Sequence, residues 1–141
     1  MAEIDPADPG WQAACLSRLE HAVQRLALAA SDQVAQYPEW VARATADELA
    51  LDFGHWFEVC ASILEDSGED DGLALLRAIY DTLDSFSGEQ NAARWTIDAL
   101  AKDPIWARLR EQAREALAHF GWADRVPPTP EEEGDGFVVG R

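Results

Sequence analysis

A chain of 141 residues that is 48% hydrophobic and holds six tryptophans has enough apolar material for one buried core, which argues against global disorder. Its formal net charge of −16 disfavours direct binding to nucleic acid or to an anionic membrane. Two cysteines are too few for a disulfide framework, and no apolar run approaches the roughly 18 residues of a bilayer span.

The opening MAEIDPADPG has neither a basic n-region nor an apolar h-region, so no secretory leader is expected and the protein is read as cytoplasmic. Asp8-Pro9 has the form of an N-cap with proline at the first helical position. Leu16, Leu19, Val23, Leu26 and Ala30 follow at helical spacing, which predicts a first helix to about Ala30, broken by Ser31-Asp32. Tyr37-Pro38 is expected to start a short helical segment containing Trp40 and Val41. Thr45 to Glu48 reads as a capping box, and the helix it opens places Leu49, Phe53, Trp56, Cys60, Ile63 and Leu64 on one stripe.

Ser67-Gly68 ends that helix, and Asp70-Asp71 are expected to cap the next, whose core face is Leu73, Leu76, Ile79, Tyr80, Leu83 and Phe86. Ser87 to Gln90 offers a second capping box, opening a shorter helix with Trp95 and Leu100 inward. Asp103-Pro104 repeats the cap-plus-proline signal, and Ile105, Trp106, Leu109, Ala113, Leu117 and Phe120 define a last helix closed by Gly121. No strand-like alternation of useful length occurs before the tail. The expected fold is an all-α single-domain bundle of about five antiparallel helices over residues 1–122. Residues 123–141, rich in proline, glycine and acid, are expected to form an extended, disordered acidic tail ending in an apolar Phe137-Val138-Val139.

The acidity is concentrated. Between Ala46 and Gln90 twelve acidic side chains face one basic side chain, Arg77, for a net charge of −11, whereas Asn91 to Arg125 sets six cations against five anions. Like charges at i, i+4 disfavour a helix, and each pair about 10 Å apart costs on the order of 0.4 kcal/mol in water before screening. So the block is a mild cumulative cost to folding. It can be a solvated, solubilising face, or a face complementary to a cationic partner.

Other chemistries find little support. His21, His55 and His119 fall on three different predicted helices, but the paired Glu-x-x-His motif of di-iron bundles is missing and no His-x-x-x-His occurs. His55 is read as a flank residue hydrogen-bonded to Asp52. The run from Asp66 to Gly72 resembles a calcium loop but has glycine at position seven and Arg77 where the bidentate glutamate belongs. Cys15 and Cys60 lie on core stripes and read as inert thiols. No phosphate loop, dinucleotide fingerprint or nucleophile elbow is present, so an enzyme is unsupported and no cofactor is expected. Arg108, Arg110 and Arg114 interleave with Glu111 and Glu115 as a laced helix face. Trp56, Trp95 and Trp106 read as packing, and Trp11, Trp40 and Trp122 as helix-end residues that bridge core and surface.

The leading expectation is an acidic protein-binding inhibitor of immunity type, which neutralises a basic toxin or enzyme by occluding its cationic site. Asp47, Glu58, Glu65, Asp66, Glu69, Asp70, Asp71, Asp81 and Asp84 are the residues expected to carry it. The alternatives are a DNA-mimicking regulator of a DNA-binding protein, an adaptor or secretion chaperone using the terminal apolar residues, and a metal-dependent bundle enzyme using His55 and nearby carboxylates.

Overall fold

Asp8 opens the first helix as its spacing suggests: its carboxylate accepts from Trp11 N at 3.0 Å, and Pro9 takes a position whose missing N–H would have had no partner. The computed structural model describes residues 7–134. The helices are α1 (Pro9–Ala27), α2 (Ala30–Ala35), α3 (Thr45–Asp66), α4 (Asp70–Ser85), α5 (Ile97–Lys102) and α6 (Pro104–Phe120), with short 3-10 helices at Ala42–Ala44 and Glu89–Trp95. No strand occurs among the described residues. The chain is an all-α single domain.

Four long helices carry the bundle. α1 packs on α3 and α6, α4 packs on the same two, and the ring encloses one core of Leu19, Val23, Leu26, Phe53, Leu76, Ile79, Leu109 and Leu117. Each such side chain, fully buried, contributes about 1.5–3 kcal/mol of transfer free energy. Trp106 is wholly buried, yet its indole N–H is satisfied by Arg94 O at 2.7 Å. Phe86 stacks on Trp95 at 4.6 Å, and Trp95 donates to Phe86 O at 2.8 Å, which pins the 3-10 segment to the end of α4.

Helix ends depart from expectation where local hydrogen bonding wins over periodicity. α1 stops at Ala27 because Leu28 turns extended (φ −67°, ψ 155°), and Ser31-Asp32 lie inside the short α2. After Tyr37-Pro38 the chain forms turns and the 3-10 helix Ala42–Ala44; Val41 is buried and Trp40 stands 63% exposed. Thr45 does not cap α3. Its hydroxyl donates back to Ala42 O at 2.7 Å, and Thr45 is itself the first helical residue. Asp70 and Asp71 sit in the first turn of α4, where they suit the helix dipole without capping it. Between α4 and α6 the expected helix becomes the 3-10 segment plus α5, capped by Thr96, which accepts from Ala99 N at 3.1 Å.

α6 ends as its glycine predicts. Gly121 is left-handed (φ 69°), and Trp122 N donates to Leu117 O at 2.9 Å, closing a Schellman turn. Beyond it the described residues, through 134, form no further helix and return along α1 as coil and turn. Gln24 Nε2 donates to Ala123 O at 2.8 Å, and Arg25 Nη2 to Pro128 O at 2.8 Å. Within the stretch expected to be disordered, residues 123–134 are thus held by side chains of the bundle. Phe137-Val138-Val139 lie outside the described residues.

Candidate functional site

α3 and α4 form a hairpin around a turn in which Gly68 adopts φ 76°. Near the open end of the hairpin the two helices and the segment after α4 enclose a groove of about 790 Å³. Ala50, Leu51 and Gly54 of α3 line one side, Leu83 of α4 the other, and Trp95 the end. Leu51 is 49% exposed, an apolar side chain presented on the acidic side of its helix. His55 lies on the wall and meets the Trp56 ring edge-on at 4.7 Å.

Three of the expected carboxylates, Asp47, Glu58 and Asp84, line this groove, and among the described residues no lysine or arginine does. The Tyr80 hydroxyl donates to Glu58 Oε1 at 3.0 Å, fixing that carboxylate on the wall. The same bond and the negative charge of Glu58 hold the Tyr80 hydroxyl above its ordinary ionisation range. Partial burial pushes the Asp47 carboxyl up, against a weaker lowering by its backbone hydrogen bond. A cation arriving in the groove would favour its charged form.

The nine expected residues do not form one patch. Glu65, Asp66, Glu69, Asp70 and Asp71 gather at the α3–α4 turn, at the far end of α3 from Asp47. At 1.5 Å per residue, Asp47 and Asp66 are about 28 Å apart along the helix. Glu69 is already in contact with His119 Nε2 at 3.2 Å, and Asp81 stands exposed on α4. Two other acids of the block serve the fold. Asp52 accepts from Arg25 Nη1 at 2.8 Å, and Glu48 is buried.

Sequence reasoning missed the apolar part of the groove and a second cluster around Glu133. Leu51 was a legible signal, since it falls off the Leu49–Phe53–Trp56 stripe onto the acidic face. Among the described residues no group of three or more His, Cys, Asp or Glu side chains could hold a metal ion. Among them, too, no helix is long and apolar enough to cross a membrane. Cys15 and Cys60 are free and buried; burial, with a smaller effect from Cys15, pushes the Cys60 thiol up to about 12. Neither a protein-family model, nor a curated protein, nor a solved structure matches this chain significantly.

Proposed function

We propose that this chain is a protein-binding inhibitor of immunity type, and that the α3–α4 groove receives a basic, partly apolar element of its target. The observation that carries the reading is the composition of that groove: Asp47, Glu58 and Asp84 around Leu51, Leu83 and Trp95, with no lysine or arginine among the described residues of the wall. An apolar floor supplies affinity through burial, and carboxylates on the wall select a lysine or arginine. The five acids at the α3–α4 turn extend the negative field beyond the groove and would speed encounter without contributing a pocket. Inhibition follows by occlusion: a cationic surface that the target uses for its own substrate is covered by the carboxylates of α3 and α4.

The test is a capture experiment from the lysate of the native organism at low and high salt, with three baits. One is the wild type, one carries Asp47→Lys, Glu58→Gln and Asp84→Lys in the groove, and one carries Glu65→Gln, Asp70→Asn and Asp71→Asn at the turn. One basic protein is expected to be retained by the wild type, lost by the groove variant, and retained by the turn variant with slower capture and weaker salt dependence. A partner indifferent to the groove variant removes the reading. Duplex DNA added as competitor separates an inhibitor of this kind from a DNA mimic.

A further inference from the structure

Along α1 the charge pattern inverts. Arg18, His21 and Arg25 succeed one another along α1 at spacings of three and four, which puts them on one helix face. All three converge on a single carboxylate, Glu133. Arg25 Nη2 binds Glu133 Oε1, while Arg18 Nε and His21 Nδ1 reach Oε2 at 3.2 and 3.1 Å. Arg18 Nη2 also donates to Glu133 O at 2.7 Å. The Glu133 side chain is only 7% exposed and Arg25 only 1%.

The segment that delivers Glu133 is bound as a peptide ligand is bound. Pro127 and Pro130 are buried while Pro128 between them is exposed, so the segment is seated on the bundle through these two prolines. Proline offers a carbonyl and no N–H, and donors on α1 and at the end of α2 meet those carbonyls. Gln36 Nε2 donates to Pro127 O at 3.3 Å and Arg25 Nη2 to Pro128 O at 2.8 Å. Thr129 then opens a single capped turn. Its hydroxyl accepts from Glu132 N at 3.1 Å, and Glu132 Oε1 accepts from Thr129 N at 3.0 Å, a reciprocal box that aims the next residue, Glu133, at the arginines.

We propose that this face of α1 is a peptide-binding site for a proline-rich acidic motif, Pro-Pro-x-Pro-x-x-Glu, which residues 127–133 occupy in cis and which takes the same motif from another protein when they are released. Three features fit recognition as well as packing. The donors read main-chain carbonyls, two buried prolines seat the segment, and the terminal carboxylate meets a preassembled cationic fork. Removing Glu133 takes away the carboxylate that Arg18, His21 and Arg25 share, on a face of α1 that is basic in a strongly anionic chain. The cis segment holds its place by proximity, with an effective concentration on the order of millimolar for a short tether, so a competitor enters only when the cis contact is weakened. This inference is independent of the α3–α4 groove.

The experiment uses the full chain carrying Glu133→Ala and a fluorescent peptide with the sequence of residues 125–134, read by anisotropy. The variant binds the peptide saturably, the wild type at least tenfold more weakly because its own segment competes, and a peptide with Glu133→Gln at least tenfold more weakly than the parent. Glu133→Gln in the full chain keeps the side-chain volume and guards against misfolding; it binds the peptide with intermediate affinity. No binding by either variant at millimolar peptide, or equal binding of the parent and Glu133→Gln peptides, overturns the proposal and makes the contact a structural clamp alone.

Discussion

Arg25 and Asp52 join α1 to α3 through an ion pair of 2.8 Å whose guanidinium is 1% exposed. The remaining donors of Arg25 go to Gln36 Oε1 at 3.0 Å, Pro128 O and Glu133, so one buried side chain ties together α1, α2, α3 and the C-terminal segment. A pair of this kind is weak evidence of net stabilisation, but removing Asp52 leaves a buried guanidinium one carboxylate short, with Glu133 remaining. Asp52→Ala should therefore destabilise the fold by about 3 kcal/mol. Urea unfolding followed by far-ultraviolet circular dichroism measures it; a loss under about 1 kcal/mol would mean that Gln36 and Glu133 alone satisfy the guanidinium.

At Gly72 α4 runs close against the last residues of α6. A Cβ there would lie 2.3 Å from Phe120 Cζ, and Phe120 is backed by Trp122, stacked on it at 4.4 Å. Gly72→Ala gains about 0.5–1 kcal/mol in helix propensity, whereas displacing a packed ring costs about 1–3 kcal/mol. The net effect should be destabilising, and Phe120→Leu in the same chain should relieve most of it. Thermal unfolding of the two single variants and the double variant decides; additive losses would place the strain elsewhere.

The long helices were legible because burial writes a 3.6-residue period: Leu49, Phe53 and Cys60 are all core residues, and the Asp8-Pro9 and Asp103-Pro104 caps form as spelled. The connections were less legible, since a threonine before a helix can bond backward, as Thr45 does to Ala42, as readily as forward. Of the candidate site, the carboxylates were visible and their grouping was not. Asp47 and Glu58 share the groove with Asp84 only because α4 folds back along α3. Asp52, from the same acidic run, is drawn inward by an arginine 27 residues earlier. The cluster at Glu133 joins residues more than a hundred positions apart, which periodicity does not report, although Thr129-Pro130-Glu131-Glu132 carries the letters of a capping box.

The two thiols should be silent in the native state. Cys60 is wholly buried with its ionisation pushed up to about 12, and burial raises that of Cys15 as well. Thiolate is the reactive form, so an aromatic disulfide reagent at mildly alkaline pH should react only through opening of the α1–α3 contact. Both thiols should then appear with one rate that climbs with urea. A fast, urea-independent phase for either cysteine would show that its helix opens separately from the bundle.

Tyr80 and Glu58 give the groove a defined response to alkali. The neutral Tyr80 hydroxyl donates to Glu58, whereas a phenolate would face Glu58 and Asp84, so the folded chain holds this ionisation above the ordinary 10.0. A folded value above the unfolded one means that the contribution of this bond is fully present below about pH 10 and is lost as the pH rises through the raised value. Glu58→Gln removes both the charge and the charged acceptor, so the Tyr80 titration should move down toward 10.0 in that variant. Difference absorbance of the phenolate band, with Tyr80→Phe identifying the signal against Tyr37, reads the shift directly. Asp84→Asn should move the same titration less, because Asp84 acts only at a distance and not as the acceptor. A larger shift from Asp84→Asn than from Glu58→Gln would mean that the hydroxyl turns toward α4 and away from α3, and the wall of the groove would then lack its fixed carboxylate.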